Sequence, residues 1–431
     1  MRTASAFLGY VFIVATISSP VFAYTGGSGT PDDPYRISTV TDWAVLTIMS
    51  GDWGKHFILI NDIDLSGTSL ASIGTRATPF RGILNGKGHV VRNGVIYLPN
   101  SDEVGLFGYI EYGSHIRNFG IENLTITGRS SVGGLVAINN GGTVIGCHVS
   151  GSVTGSQSNI GGLVAVNYWG TVQSSFADVT VKTNVASGCG SVGGLAGYNR
   201  GVIQSCYATG IVVGHGTIGG LVGFNEGGMV SNCYAAGAVS SVYDAGGLIG
   251  QNRGLVITSY ATGTVNSSIH VGGLVGWNVS GTIASCYATG AATGSDGVGG
   301  LVGYNQQGKI FHSYSTGEPK GNYNIGGLCG AIATGGIYED VSNYWDTETS
   351  LYATSAMGTG KTTAEMKTQS TFVNTSSFWD FVYTWKIVEN VTCPTLRSGA
   401  GQTLLSADLN SDGRVDLIDL GLFAEQWLLG T

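Results

Sequence analysis

Charged residues are scarce in this chain. Lys and Arg number 19 and Asp and Glu 27, so only 11% of the 431 residues are charged and the formal net charge is −8. The scarcity limits how much surface ion pairs can stabilise the fold, and the negative balance argues against nucleic acid or an anionic membrane as a partner. No apolar run in the sequence is as long as a membrane-spanning helix, which needs about 20 residues. With 72 Gly and 42% hydrophobic residues, the chain can instead bury a long core.

The N-terminus has the pattern of a secretory signal. Arg2 precedes an apolar run from Phe7 to Ile17, and Val21-Phe22-Ala23 fits cleavage before Tyr24. The apolar run is too short to span a bilayer. We therefore expect residues 1–23 to be removed and the protein to be secreted, extracellular or on the cell surface.

A repeat of 26 or 27 residues occupies the middle of the chain. The tripeptide Gly-Gly-Leu occurs eight times there, with leucines at 135, 163, 195, 221, 248, 274, 301 and 328. The last five spacings are 26, 27, 26, 27 and 27 residues, and no helical hydrophobic pattern lies within them. A period of this length without helices predicts a stacked β architecture in which each repeat contacts only its neighbours.

Other residue types recur in register with the leucines. The Asn series, four residues after Leu, is Asn139, Asn167, Asn199, Asn225, Asn252, Asn278 and Asn305. A small series follows at Cys147, Ser175, Cys206, Cys233, Ser259, Cys286 and Ser313, and a mostly aromatic one at His148, Phe176, Tyr207, Tyr234, Tyr260, Tyr287 and Tyr314. Because parallel coils stack about 4.8 Å apart, equal offsets place like side chains over one another. We predict a right-handed parallel β-helix of about eleven coils, with roughly three strands per coil and the Asn ladder hydrogen-bonded at a corner.

The segments outside the regular repeat are assigned by their composition. An amphipathic helix is predicted over 38–50, where it covers the first coil, since solenoids need their open ends covered. The period is lost after the repeats, where three tryptophans, Trp345, Trp379 and Trp385, indicate a C-terminal cap. The predicted order is a signal peptide at 1–23, an N-terminal cap at 24–56, the β-helix at 57–343, a C-terminal cap at 344–400 and a separate segment at 401–431.

The seven cysteines do not form a recognisable disulfide framework. Four of them occupy the small-residue series that otherwise holds Ser, so a requirement for a small side chain explains them. Of these, only Cys206 and Cys233 lie one coil apart. A bridge between them is an option that the fold does not require, because stacked parallel Cβ vectors do not point at one another.

The repeats resemble the GLUG motif of secreted bacterial repeat proteins. The resemblance rests on Gly-Gly-Leu-Val-Gly-Tyr-Asn at 299–305 with its variants at 219 and 272, and on flanking matches at 27–35, 61–67, 343–350 and 362–367. It implies a β-helix on the cell surface or in the medium, in a group often described as adhesin-like. Some GLUG-bearing chains belong to immunoglobulin-cleaving metallopeptidases. This sequence has no His-Glu-x-x-His, so that activity is not expected.

The C-terminal segment contains the spacing of an EF-hand calcium loop. Oxygen ligands at loop positions 1, 3, 5, 9 and 12, Gly413 at position 6 and a backbone carbonyl at position 7 match that loop, which closes here with Asp instead of Glu. The predicted Ca²⁺ ligands are the side chains of Asp408, Asn410, Asp412, Asp416 and Asp419 and the carbonyl of Arg414. A following helix is predicted with one apolar face, formed by Leu417, Leu420, Phe423, Ala424 and Trp427.

This calcium loop and helix resemble one half of a type I dockerin, the module that docks secreted proteins, often glycoside hydrolases, onto cohesin scaffolds. Dockerins normally carry two such loops, whereas this segment has one. The resemblance implies a cohesin-like or cell-surface attachment partner. A single half could act as a sorting or attachment signal, or pair with a second copy.

Polysaccharide cleavage is the alternative function, because many parallel β-helix proteins gather catalytic carboxylates on one face. Asp244, His270 and Asp296 lie two or three residues before successive Gly-Gly pairs. That placement would separate the two carboxylates by about twice the coil spacing, roughly 9.6 Å, near the upper limit for an inverting pair. Equivalent positions elsewhere hold Ser, Thr or Asn, so a polar corner ladder explains the same residues and no catalytic residue is assigned.

We therefore expect a non-catalytic β-helix that binds carbohydrate or a surface protein and is attached through its calcium-binding tail. The alternative is an extracellular polysaccharide lyase or glycoside hydrolase of a polysaccharide-degrading system.

Overall fold

The computed structural model describes residues 24–68, 70–183, 190–333, 338–374 and 377–397. Over these residues the chain winds into an all-β parallel solenoid of about ten turns with few helices. The predicted fold class is confirmed, and the right-handed winding stays a prediction. The predicted signal at 1–23 and the predicted tail at 401–431 lie outside the described residues.

Sheet 1 runs the length of the solenoid and has twelve parallel strands. Branched apolar residues at the strand centres, such as Val144, Val172 and Ile203, are fully buried in the bore. The strands are Tyr35–Ile37, His56–Leu59, Ile83–Asn85, His115–Arg117, Thr143–Ile145, Thr171–Gln173, Val202–Gln204, Met229–Ser231, Leu255–Ile257, Thr282–Ala284, Lys309–Phe311 and Glu339–Val341.

Sheet 2 follows sheet 1 after a residue with positive φ, such as Ser205 or Asn232, both at φ 54°. Long strands in the coils from 120 to 183 give way to two short strands in each later coil, so that Phe176–Thr183 pairs with both Tyr207–Ala208 and Val212–Val213. The other strands are Ile63–Asp64, Val90–Arg92, Val95–Tyr97, Gly120–Thr127, His148–Gly155, Tyr234–Ala235, Val239–Ser240, Tyr260–Ala261, Val265–Asn266, Tyr287–Ala288, Ala292–Thr293, Tyr314–Ser315, Pro319–Lys320, Tyr344–Asp346 and Thr359–Lys361.

Sheets 3 and 4 lie on either side of the Gly-Gly-Leu tripeptides. Sheet 3 contains Val132–Gly133, Ile160–Gly161, Gly190–Gly193, Gly216–Gly219, Ala245–Gly246, Ile269–Gly272, Asp296–Gly299 and Tyr323–Gly326. Sheet 4 contains Phe107–Glu111, Val136–Asn140, Val164–Tyr168, Ala196–Asn199, Val222–Asn225, Ile249–Asn252, Val275–Val279, Val302–Gln306 and Cys329–Ile332. A regular coil thus contributes to four sheets, so the prediction of about three strands per coil was too low.

Glycine is required where sheets 3 and 4 meet. A Cβ on Gly219 would lie 2.0 Å from the carbonyl oxygen of Val222, and one on Gly303 would lie 2.4 Å from the backbone nitrogen of Val271. The leucines stack at this bend as predicted: Leu221 N–H donates to the carbonyl of Leu248 at 2.9 Å, and both side chains are fully buried. The Gly-Gly-Leu repeat is therefore a requirement of close backbone packing.

The Asn ladder has the predicted corner geometry. Each Nδ2 from Asn139 to Asn278 donates to the Oδ1 of the next Asn at 2.8 to 2.9 Å, and all seven side chains are fully buried. Each Nδ2 also donates to a nearby glycine carbonyl, as from Asn252 to Gly254 at 3.2 Å. At the end of the series, Asn305 Nδ2 lies 3.1 Å from Met357 Sδ. The ladder satisfies backbone groups that the bend would otherwise leave unpaired.

The small series forms a second buried ladder. Cys233 N–H donates to Ser259 Oγ at 3.1 Å, and the Ser259 hydroxyl donates to the Ile257 carbonyl at 2.7 Å. A thiol fills the same role at Cys206, whose N–H lies 3.4 Å from Cys233 Sγ. Both cysteines are free, as are all the cysteines that the structure describes. The optional bridge between Cys206 and Cys233 is absent, because the ladder uses the two sulfurs separately.

An α-helix at Val40–Ile48 closes the N-terminal end, within the segment predicted to be helical. Thr39 and Asp42 form a capping box at its start, which satisfies the first free backbone N–H groups. Trp43 is fully buried and stacks on Phe119, with ring centroids 5.9 Å apart. A 3-10 helix follows at Ser50–Asp52.

The C-terminal segment divides between two positions. Trp345 and Met357 join the core inside the bore, whereas Trp379 and Trp385 pack outside it against Tyr287 and Tyr314. Only part of the predicted cap therefore covers the open end. Its remaining elements are the helices Thr347–Ser350 and Thr363–Met366, the 3-10 helix Gln369–Thr371, and two antiparallel pairs, Val373–Asn374 with Ser377–Phe378 and Trp385–Lys386 with Thr395–Leu396.

Candidate functional site: the outer aromatic face

The predicted calcium ligands Asp408, Asn410, Asp412, Arg414, Asp416 and Asp419 all lie outside the described residues. In the part of the chain that the structure does describe, no group of three or more His, Cys, Asp or Glu side chains could hold a metal ion. The calcium site therefore stays a prediction from sequence.

Asp244 and His270 form a close pair on neighbouring coils. His270 Nδ1 lies 2.7 Å from Asp244 Oδ1, and the Asp244 residue is 9% exposed. His270 lies in the left-handed region at φ 48°, which turns its ring toward sheet 4. There the ring stacks on Tyr304 at a centroid distance of 4.8 Å and contacts Trp277 at 5.4 Å.

Asp296 does not join this pair. In the strand register it lies level with Ile269, while Gly297 occupies the position next to His270. Its Oδ1 accepts instead from Asn324 Nδ2 at 2.7 Å, within an exposed contact. The three residues lie on successive coils, but Asp296 is not level with the other two, because it precedes its Gly-Gly pair by three residues instead of two.

A row of aromatic side chains lies on the outside of sheet 4. We call it the outer aromatic face; it consists of Tyr168, Trp169, Tyr198, Phe224, Trp277 and Tyr304. Sheet 4 places Tyr198, Phe224, Gln251, Trp277 and Tyr304 level on successive coils. Neighbouring rings from Trp169 to Phe224 lie 5.5 to 5.7 Å apart between centroids and are tilted or edge-on.

Trp169 is the most exposed of these rings, at 58% of its surface. It lies in the turn after the ladder residue Asn167, with φ 53°, so the backbone directs the indole away from the core. Exposed large aromatic side chains that adjoin other aromatics are typical of binding surfaces. Trp169 is therefore the clearest ligand-binding candidate on the face.

Gln251 interrupts the aromatic row between Phe224 and Trp277. The residue is 8% exposed, and no group among the described residues accepts a hydrogen bond from its Nε2 or from the neighbouring Trp277 Nε1. Buried polar groups normally have partners, so these two donors are candidates for pairing with water or a ligand.

Two arginines lie against the outer aromatic face. The guanidinium of Arg200 lies 5.7 Å from the Trp169 ring centroid, and that of Arg253 lies 5.4 Å from the Phe224 centroid. Glu226 occupies the same turn position on the coil between them and accepts a hydrogen bond from the Tyr198 hydroxyl. Burial, followed by this bond to a carboxylate, raises the pKa of Tyr198. The two guanidinium groups and the Glu226 carboxylate thus all contact aromatic side chains of the face.

The outer aromatic face was not recognised from the sequence. Its main row is the position directly before each ladder Asn, which holds Ile138, Val166, Tyr198, Phe224, Gln251, Trp277 and Tyr304. Because the residue type varies from coil to coil, this position does not form a conspicuous series. The sequence does contain a signal at this position, because an aromatic residue directly precedes the ladder Asn in four coils.

Sequence comparison relates the regular coils to one motif family. A model of the GLUG motif matches residues 214–240, 267–293 and 294–318. Halomucin of Haloquadratum walsbyi is 38% identical over 130 residues, which are 29% of this chain and 1% of halomucin. A protein of Evansella cellulosilytica with the provisional name Gly-rich membrane protein is 34% identical over 155 residues, 32% of this chain and 18% of that protein. The chain thus spans less than a fifth of either relative.

Two solved structures align with the solenoid. A Bacteroides ovatus protein provisionally described as an immunoglobulin A1 protease aligns over 87% of this chain and 95% of its own, at 19% identity and a TM-score of 0.31. A structure described as IgA1 protease aligns over 58% and 21%, at 16% identity and a TM-score of 0.43. Neither likeness is close enough to indicate an activity. In the described part of the chain, no helix has the length and apolar character needed to cross a membrane. The chain is a β-solenoid whose regular coils carry GLUG motifs.

Proposed function

We propose that this protein is a non-catalytic binding scaffold of the cell surface, which presents its outer aromatic face to a carbohydrate or surface-protein ligand. The observation that supports this proposal is the row of rings along the outside of sheet 4, unbroken from the 58% exposed Trp169 to Phe224. Rings can cover apolar faces of a ligand at a low entropic cost, because each side chain has only two rotatable bonds. The stacked coils beneath hold the row in a fixed register, which favours binding by preorganisation.

Location at the cell surface is supported by the predicted signal and by the names of the two relatives. Halomucin and the Evansella protein named for membrane association are both similar to about a third of this chain. An adhesin-like role agrees with the implication of the GLUG resemblance. In this role the solenoid lies outside the cell, with the face along its length available for contact.

The proposed binding role is tested by screening the purified protein against a glycan array and soluble polysaccharides, scoring binding and cleavage together. Trp169→Ala should weaken binding at least tenfold, the loss expected for an aromatic contact worth about 1.4 kcal/mol or more. Tyr97→Ala is the matched control, because Tyr97 is 71% exposed on sheet 2, away from the outer aromatic face. An unchanged affinity in Trp169→Ala would contradict the proposed surface.

The alternative, polysaccharide cleavage, draws support only from the Asp244–His270 pair. A glycosidase needs two carboxyl groups that flank the scissile bond, and Asp296 is engaged with Asn324 outside the register of Asp244. In the same screen we expect no depolymerisation by the wild-type protein, Asp244→Asn or Asp296→Asn. Cleavage that is lost in Asp244→Asn would establish the alternative.

Attachment through the C-terminal tail completes the proposal. Four carboxylates, one amide and one carbonyl supply the hard oxygen ligands that Ca²⁺ prefers. Metal binding should order the short tail, since folding and binding are coupled in small metal-dependent segments. The expected partner is a cohesin-like or other cell-surface protein.

Calorimetric titration of the full chain tests the calcium site. One saturable Ca²⁺ site is expected, which the double variant Asp408→Ala, Asp412→Ala should abolish. Ser411→Ala is the control, because loop position 4 supplies no ligand in this loop type. A titration without a saturable site, or one unaffected by the double variant, would refute both the loop and the attachment role.

A further inference from the structure

Basic residues are rare on the repeats, and half of them meet on one surface. Between Arg129 and Gly317 the chain has only Lys182, Arg200, Arg253 and Lys309. Lys309 is paired with Glu339 at 2.9 Å, and Lys182 lies on sheet 2. Arg200 and Arg253 both lie at the outer aromatic face, at the same turn position two coils apart.

Arg200 and Arg253 rest on aromatic rings in the described part of the chain. Each guanidinium lies over a ring, and no carboxylate among the described residues pairs with either one. The nearest acid in the stack, Glu226, is bonded to Tyr198 instead. An arginine that rests on a ring keeps its donors free at the edge, so it can still bind an oxyanion with two hydrogen bonds.

The spacing of the two charges favours an extended ligand. Two coil rises separate Arg200 from Arg253 by roughly 9.6 Å along the solenoid axis. That distance is close to the length of two sugar rings in an extended chain. A linear polysaccharide with at least one anionic group per disaccharide could therefore pair with both arginines while its rings contact Trp169, Tyr198 and Phe224.

We infer that the outer aromatic face between Trp169 and Phe224 binds an acidic linear polysaccharide, whose carboxylate or sulfate groups pair with Arg200 and Arg253. This inference rests on the proposed binding role and names the class of its ligand. The formal charge of the whole chain is −8, so the attraction is local and does not come from the overall charge. Glu226 opposes the ligand's charge and limits affinity.

The test measures binding of polygalacturonate, dextran sulfate and uncharged dextran by calorimetry at low and physiological salt. We expect binding of at least one of the two anionic polymers, weaker at higher salt because exposed charges are screened, and no comparable binding of dextran. Whichever anionic polymer binds identifies the preferred group. Arg200→Gln together with Arg253→Gln should weaken binding about tenfold or more.

Two further variants keep the result independent of folding defects. Glu226→Gln should tighten binding several-fold, a gain that no loss of structure could produce. Lys182→Gln removes the same charge from sheet 2 and should leave the affinity unchanged.

The inference would be overturned by no binding of either anionic polymer, by equal binding in the double arginine variant, or by equally tight binding of polyglutamate, which would indicate an acidic protein partner. Binding of neutral glycans that needs Trp169 but neither arginine would overturn this inference and leave the proposed binding role standing. Failure to bind any glycan or protein would overturn both.

Discussion

Two aromatic surfaces run along the same solenoid and differ in how their rings are used. On sheet 2 the stack from His148 to Tyr314 has centroids 4.7 to 5.2 Å apart and planes within 8° of parallel. We call this row the tyrosine stack; it consists of His148, Phe176, Tyr207, Tyr234, Tyr260, Tyr287 and Tyr314. Each ring face inside it is covered by the next ring. Gly120 lies against His148 at one end, and Trp379 and Trp385 pack beside Tyr287 and Tyr314 at the other. Such a surface stabilises the fold and leaves few ring faces for a ligand.

The outer aromatic face has the opposite character. Its rings are tilted or edge-on, its residue types change from coil to coil, and it holds an exposed tryptophan and two arginines that rest on rings. A position whose side chain must stack on the same position of the next coil is restricted to one residue type. An outward position without that restriction can vary and can therefore be adapted to a ligand. The difference suggests that function in a solenoid is found where the repeat varies.

The largest expected effect comes from the interior ladder that keeps both surfaces in register. Asn252→Leu would leave one of the two Asn225 Nδ2 hydrogens, Asn278 Oδ1 and the Gly254 N–H without partners, while the other Asn225 hydrogen keeps its bond to the Gly228 carbonyl. Since each buried unpaired group costs about 1 to 3 kcal/mol, the free energy of unfolding should fall by about 3 kcal/mol or more. Urea unfolding monitored by circular dichroism measures the change.

The matched control for that substitution is Asn139→Leu at the beginning of the ladder. Asn139 donates to Asn167 but accepts from no preceding Asn, so fewer partners are lost. Its effect should be smaller. Equal midpoints for Asn252→Leu and the wild-type protein would show that the ladder does not stabilise the fold.

A second pair of substitutions tests whether one surface serves stability and the other serves binding. Tyr234→Ala removes two stacked contacts, at 4.8 and 5.1 Å, and should lower stability by about 2 to 3 kcal/mol while glycan affinity stays unchanged. Trp169→Ala should change stability by no more than about 0.5 kcal/mol, as expected for an exposed position, and should weaken binding. Thermal unfolding and glycan binding measured on both variants provide the test. A tyrosine-stack variant that binds less tightly without unfolding would break the comparison.

The stacked region was far more predictable from sequence than the outer face. The Leu, Asn, small and aromatic series each repeat one side-chain type at one offset, and their hydrogen bonds and ring contacts follow from the coil rise alone. The outer face depends on the φ of Trp169 and on the side-chain directions of Arg200 and Arg253, which no periodicity encodes. The bond between Asp296 and Asn324 likewise depends on side-chain directions that the repeat does not specify.

Acidification should loosen the C-terminal end of the tyrosine stack. His312 is 8% exposed beside Trp379, and burial lowers its pKa from 6.5 to about 4. The unfolded chain therefore binds the proton more readily, so stability is full above about pH 6.5 and is lost as the pH falls toward 4. At pH 5 the loss relative to pH 7 should be about 2 kcal/mol.

The His312→Asn variant isolates this contribution. Asn tolerates the left-handed conformation that His312 adopts at φ 45°. Urea unfolding of both proteins at pH 5 and pH 7 should show a smaller pH dependence for the variant. An identical pH dependence would mean that His312 is not protonated differently in the folded and unfolded states.

The smallest effect on stability is expected when one small residue of the Cys/Ser ladder replaces another. Cys233→Ser replaces a thiol with the hydroxyl that the same position holds at Ser175 and Ser259, and it preserves the acceptor for the Cys206 N–H and the donor to the Ser231 carbonyl. Stability should change by no more than about 0.5 kcal/mol, the range typical of substitutions that break no buried partner. Because Cys206 and Cys233 are free thiols, reductant should not alter the unfolding midpoint of either protein. Urea unfolding with and without dithiothreitol checks both expectations. A large loss in Cys233→Ser that reductant reproduces in the wild-type protein would indicate a disulfide, and would show that this ladder is held by a covalent bridge instead of by interchangeable hydrogen-bonding side chains.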